Sequence, residues 1–278
     1  MRNSGVISLA AALALTGAAA ACADATPQRV VSINLCTDQL AMMIAAPEQL
    51  VSVTTMARDP RASVMAEQAR AYPTNNGLAE EIYLLDPDLV LAGQFSARAT
   101  VSMMRRLGVE VVEFAPAQSL KDVSANMVKM GEALGRADVA REMADDFARH
   151  LSDINPTQGR RPTAATYAVN GYTSGAQSLS GEIIDTAGFA TLAAQFGLPA
   201  GGFVPLEALV MADPDLVISG ADYPGTARAE EVLSHPALTR LTGGHMPMQD
   251  KDWICGLPSV LDAIGELRAE REKLEQDE

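Results

Sequence analysis

Histidine is almost absent from this 278-residue chain: His150, His235 and His245 are the only three, and they are far apart. A bare zinc or manganese ion wants several imidazoles and carboxylates converging on one point, so three scattered histidines argue against such a site. No His-Glu-x-x-His helix, G-x-S-x-G elbow or G-x-x-x-x-G-K phosphate loop is present, which removes the usual signatures of zinc hydrolysis, acyl transfer and nucleotide hydrolysis. Positive charge is short as well. The 21 Lys and Arg face 35 Asp and Glu, and a net charge of −14 has the wrong sign for nucleic acid. Three cysteines are too few for a disulfide framework. Aromatics make up 4% of the chain, with one Trp, so the position of each carries information.

What remains is the composition of a globular protein, 48% hydrophobic and 20% charged. Residues 1–25 read as a secretory signal peptide: Arg2, an apolar centre, and an Ala23-Asp24-Ala25 cleavage site before Thr26. Cys22 offers a competing lipoprotein site, but no large aliphatic residue stands three positions before it. No later stretch is apolar enough to span a bilayer, so the expected location is the periplasm.

The chain repeats itself once. Glu80 to Gly93 and Glu207 to Gly220 share a Glu opening a short apolar helix, an Asp-Pro-Asp stop and a buried strand ended by Gly, at an offset of 127 residues. Around these anchors strands and helices alternate, which predicts an α/β fold of two lobes with parallel-type sheets flanked by helices. The expected divisions are an N-terminal lobe over 26–118, a linker over 119–155 and a C-terminal lobe over 156–278. In the linker Val139, Met143, Phe147, Leu151 and Ile154 form one apolar face, so one long helix, nicked at Gly135, is expected to join the lobes.

Ligands of open parallel sheets bind beyond the carboxyl ends of the strands. The residues expected there are Cys36, Thr37, Arg58, Asp59, Gln94 and Phe95 from the first lobe. From the second come Asn170, Tyr172, Tyr223, Trp253 and Cys255. Together they describe a partly aromatic cleft with a few polar groups. Cys36 and Cys255 approach it from opposite sides, as a disulfide, as thiolates for a soft metal, or as buried thiols. Paired acids such as Asp145-Asp146 read as a solvated helix face.

Signal peptide, Arg29-Val30-Val31-Ser32-Ile33-Asn34, the twin Glu plus Asp-Pro-Asp-Leu-Val units, the linking helix and a terminal helix after Asp252-Trp253 together resemble the iron-siderophore and cobalamin periplasmic binding proteins of ABC importers. That resemblance implies a class III binding-protein fold and a non-catalytic, monomeric receptor. It implies a ferric siderophore, a corrinoid or haem as cargo, with no intrinsic cofactor. It further implies an ABC permease with a separate ATPase as partner, with Glu80 and Glu207 as the docking acids. The rival class is a thiol-based metallochaperone or a redox or metal enzyme using Cys36 and Cys255.

Overall fold

The computed structural model describes residues 26–154, 159–220, 232–238, 241, 244–248 and 250–276. The first lobe runs β1 (Val30–Ser32), α1 (Leu35–Ile44), β2 (Leu50–Thr54), β3 (Thr74–Asn75), α2 (Ala79–Leu84), β4 (Leu89–Gly93), α3 (Arg98–Arg106) and β5 (Glu110–Phe114). Its five strands lie in the order β3-β2-β1-β4-β5, all parallel. Two helices follow, α4 (Leu120–Ala133) and α5 (Ala137–Asp153). The second lobe runs β6 (Thr163–Tyr167), β7 (Tyr172–Ser174), α6 (Leu179–Thr186), β8 (Ala190–Thr191), β9 (Gly201–Phe203), α7 (Leu206–Ala212) and β10 (Leu216–Gly220). It continues with β11 (Gly244–Met248), α8 (Asp250–Trp253) and α9 (Val260–Gln276). Its parallel sheet has the order β11-β10-β6-β8, and β7 pairs with β9 in a separate antiparallel ribbon.

The apolar runs of β4 and β10 are buried on both faces, as strands of a parallel sheet covered by helices must be. One apolar cluster is continuous between the lobes, from Val30 and Leu50 through Met127, Met130 and Phe147 to Ile183, Ala263 and Ile264. Each sheet also has its own outer cluster, around Ile82 and Val90 in the first lobe and around Leu209 and Val217 in the second.

The linker is two helices where one was expected. Gly135, at φ +65, breaks the chain, and α5 folds back on α4 so closely that a Cβ on Gly131 would lie 2.2 Å from that of Ala140. α4 touches α1 of the first lobe and α6 of the second. The apolar face of α5 turns Val139, Met143 and Phe147 toward Pro258 and Leu261. α4 therefore spans the junction, with α5 packed against it.

The Asp-Pro-Asp units have a structural task that is the same in both lobes. Asp86 and Asp213 both adopt the left-handed conformation, at φ 48 and 43. The carboxylate of Asp88 accepts from the Gln28 and Arg29 amides at 2.7 and 3.0 Å, and that of Asp215 accepts from the Thr163 amide at 2.6 Å. Each lobe thus ties the start of its first strand to the turn that opens a neighbouring strand. The aspartates of the repeat are explained by folding; its glutamates are not.

Candidate functional site

At the carboxyl end of β1, Asn34 caps α1, its Oδ1 accepting from the Cys36 and Thr37 amides at 3.0 and 3.4 Å. The cap starts the helix at Leu35. Asn34 Nδ2 donates to Ser96 Oγ at 2.8 Å, which draws in the loop after β4. Gly93 makes room for this, since a Cβ there would meet both groups at 2.8 Å. The result is a cavity of about 180 Å³. Asn34, Cys36, Thr37, Gln94, Phe95 and Ser96 line one side; Phe114 and Asn126 contribute from β5 and α4, and Ile254, Cys255 and Leu257 from the second lobe.

Cys36 and Cys255 are bonded to each other across this cavity, with their Cα atoms 4.9 Å apart. Of the three readings of the pair, the structure adopts the disulfide, and the bond covalently joins the lobes at the cavity wall. The buried Gln39 steadies it: Nε2 donates to Cys255 Sγ at 3.5 Å, while Oε1 accepts from the Val64 amide at 2.8 Å.

Other expected residues divide. Thr37 lines the cavity, but its hydroxyl is engaged with Ser32 Oγ and the Asn34 carbonyl. Phe95 stands 73% exposed at the rim beside Gln94. Arg58 does not line it; its guanidinium donates to the Tyr72 and Ala69 carbonyls and secures a surface turn. Asp59 is held by Arg61 in a two-point ion pair, which lowers its pKa to about 2. Asn170 lines a separate hollow with Tyr167 and Phe203, and Tyr172 stacks edge-on against Phe203. Trp253 is corrected outright: it is 4% exposed and packs in the central cluster, where its large apolar surface is worth more than at a rim. Tyr223 lies outside the described residues. Asn34, Ser96, Phe114 and Asn126 were missed; the position of Asn34 at a strand end was the available signal.

Beneath the cavity Asp38 is fully buried. One carboxylate oxygen accepts from the Thr54 amide at 3.1 Å and hydroxyl at 2.5 Å; the other has no partner. Burial raises its pKa from 3.8 to about 7, against the opposing hydrogen bonds from Thr54. The folded protein therefore holds this proton more tightly than the unfolded chain, so the contribution of Asp38 to stability is full below pH 4 and is lost as pH rises toward 7. Asp38→Asn, neutral throughout, is expected to flatten that loss. Unfolding free energies from denaturant titrations at pH 4.5 and 8 should differ by a few kcal/mol less in the variant than in the parent, and equal differences would disprove the buried-acid account.

Among the described residues no group of three or more His, Cys, Asp or Glu is gathered to hold a bare metal ion, and no helix is long and apolar enough to cross a membrane. Residues 30–243 match the periplasmic binding protein family. A cobalamin-binding protein of Halobacterium salinarum is 29% identical over 203 residues, 71% of this chain, and the chain spans 55% of that relative's length. A vitamin B12-binding protein of Yersinia pestis is 22% identical over 62% of each chain. Among solved structures, the periplasmic vitamin B12 binding protein of Vibrio cholerae superposes with a TM-score of 0.67 at 16% identity, covering 90% of this chain and 98% of that one. A periplasmic heme binding protein of Pseudomonas aeruginosa gives 0.69 at 20%, covering 87% and 92%. At these identities the superpositions speak for the fold, two α/β lobes with parallel sheets.

Proposed function

Because the chain belongs to the periplasmic binding protein family, we propose that it is an extracytoplasmic, non-catalytic receptor that captures a metal chelate between its lobes and delivers it to an ABC permease. The observation that carries the reading is the cavity that both lobes line at the carboxyl ends of the first lobe's strands. Its volume is below the range of whole-ligand sites, so an edge of a bulky chelate enters it and the remainder stands against Phe95 at the rim.

Among the chelates carried by this family, a corrinoid fits the lining best. The described lining residues include no Lys or Arg to balance an anionic ferric catecholate. They include no His, Tyr or Met to ligate haem iron, and both sulfurs are committed to the disulfide. Gln94 and Asn126 instead offer amide groups suited to the carboxamide side arms of a corrinoid, with Phe95 and Phe114 as apolar contact. The thiol-based alternative loses its nucleophiles to the same bridge. Titrations of the purified protein with cyanocobalamin, haemin and a ferric catecholate test this. Cyanocobalamin is expected to bind tightest, and Phe95→Ala to weaken it about tenfold. Tighter binding of haemin or of the catecholate overturns the corrinoid assignment, and binding of none of the three overturns the receptor.

Delivery is assigned to Glu80 and Glu207. Each is the second residue of its helix and solvent-exposed, and neither makes a side-chain hydrogen bond or ion pair among the described residues. Helix-dipole stabilisation, about 0.3 to 1 kcal/mol apiece, accounts for an acid at either position but not for the matched pair.

A further inference from the structure

We propose that each docking point is an acid joined to an apolar knob: Tyr83 and Leu84 beside Glu80, and Val210 and Met211 beside Glu207, seat in two equivalent apolar hollows next to basic groups on a two-subunit permease. The inference rests on the receptor reading and adds to it the apolar half of the contact.

In each lobe the acid and its two apolar neighbours fall at positions i, i+3 and i+4 of a short helix, so they share one face. The inward face of each helix is held by a buried residue, Ile82 or Leu209, and these too are 127 positions apart. The outward apolar residues have no such use. Leu84 is 82% exposed and Met211 87%, while Tyr83 and Val210 are 56% and 36% exposed. A single exposed leucine is ordinary on a protein surface. An acid and two apolar residues in the same order, on equivalent helices of both lobes, mark a surface presented twice.

Charge selects the occupant. A second copy of this chain would bring Glu80 or Glu207 against a surface of the same net sign, and an anionic membrane would repel a protein of charge −14. A basic surface with apolar hollows satisfies both halves of the contact, and one that appears twice belongs to a partner of two like subunits. Side chains in a helix lean toward its N-terminus, which carries Leu84 and Met211 back toward their glutamates.

The test is made in cells of the source organism, with the receptor gene replaced and radiolabelled cyanocobalamin as the probe. With Leu84 or Met211 replaced by a photo-crosslinking phenylalanine analogue, irradiation is expected to trap a membrane permease subunit from both positions. Leu84→Ser with Met211→Ser is expected to lower uptake about 100-fold at limiting receptor, with cyanocobalamin affinity of the purified protein unchanged and Met211→Leu close to the parent. Normal uptake by the serine pair, or crosslinking only to lipid or to a second copy of the receptor, overturns the proposal. Failure of the receptor reading shows separately, as an unmutated protein that binds no chelate.

Discussion

Replacing Cys36 and Cys255 together by serine is expected to cost about 5 kcal/mol of stability, and to lower the melting temperature by roughly 10 to 20 °C. The bridge closes a loop with a sequence separation of 219 residues, which is most of the described chain. An unfolded chain constrained over that length loses much of its freedom, and the loss grows with the logarithm of the loop. The bond also fixes one lobe against the other at the cavity wall, so the serine pair should weaken chelate binding as well as stability. Thermal melts of the oxidised protein and the variant measure the first effect. Mass-shift alkylation of the native protein checks the premise, since neither cysteine should react before a reductant is added. A variant that melts within about 2 °C of the parent would show that the bridge contributes little.

Glu80→Ala with Glu207→Ala is expected to reduce uptake by more than about tenfold, leaving both the fold and cyanocobalamin affinity intact. Both carboxylates are exposed, and folding asks little of them beyond a small helix-dipole contribution. Salt should mimic the substitution in part, because a contact steered by charge weakens as ionic strength rises. Uptake by the double variant at the parent's rate refutes the docking assignment, while lost chelate affinity would mean that the glutamates act on the cleft.

The repeat was the most legible part of this sequence because its two halves share a local constraint. An Asp-Pro-Asp turn must stop a helix, and a parallel strand buried on both faces must be an apolar run, whatever lies around them. The limits of the reading follow from interactions that are not periodic. The start of α1 is set by the side chain of Asn34 rather than by its apolar positions, and the break of the linker by the left-handed Gly135. The three-residue strands β7 and β9 pair across a connection and leave no alternating pattern long enough to detect. Trp253 was placed at the cleft because it follows a strand, yet the short helix α8 turns it into the core. The cysteine pair could be located but not resolved among its three forms, since bonding depends on how two lobes meet.

The aspartate tethers carry a practical consequence. Asp88 holds residues 28 and 29 at the amino end of β1, and Arg271 of α9 donates to the Arg160 carbonyl near the amino end of β6. The cavity and the two glutamates belong to the opposite end, beyond the strands' carboxyl termini. Surface immobilisation through a tag placed before residue 26 or after residue 276 should therefore present the mouth outward, leaving it open to the proposed chelate and the proposed permease at once.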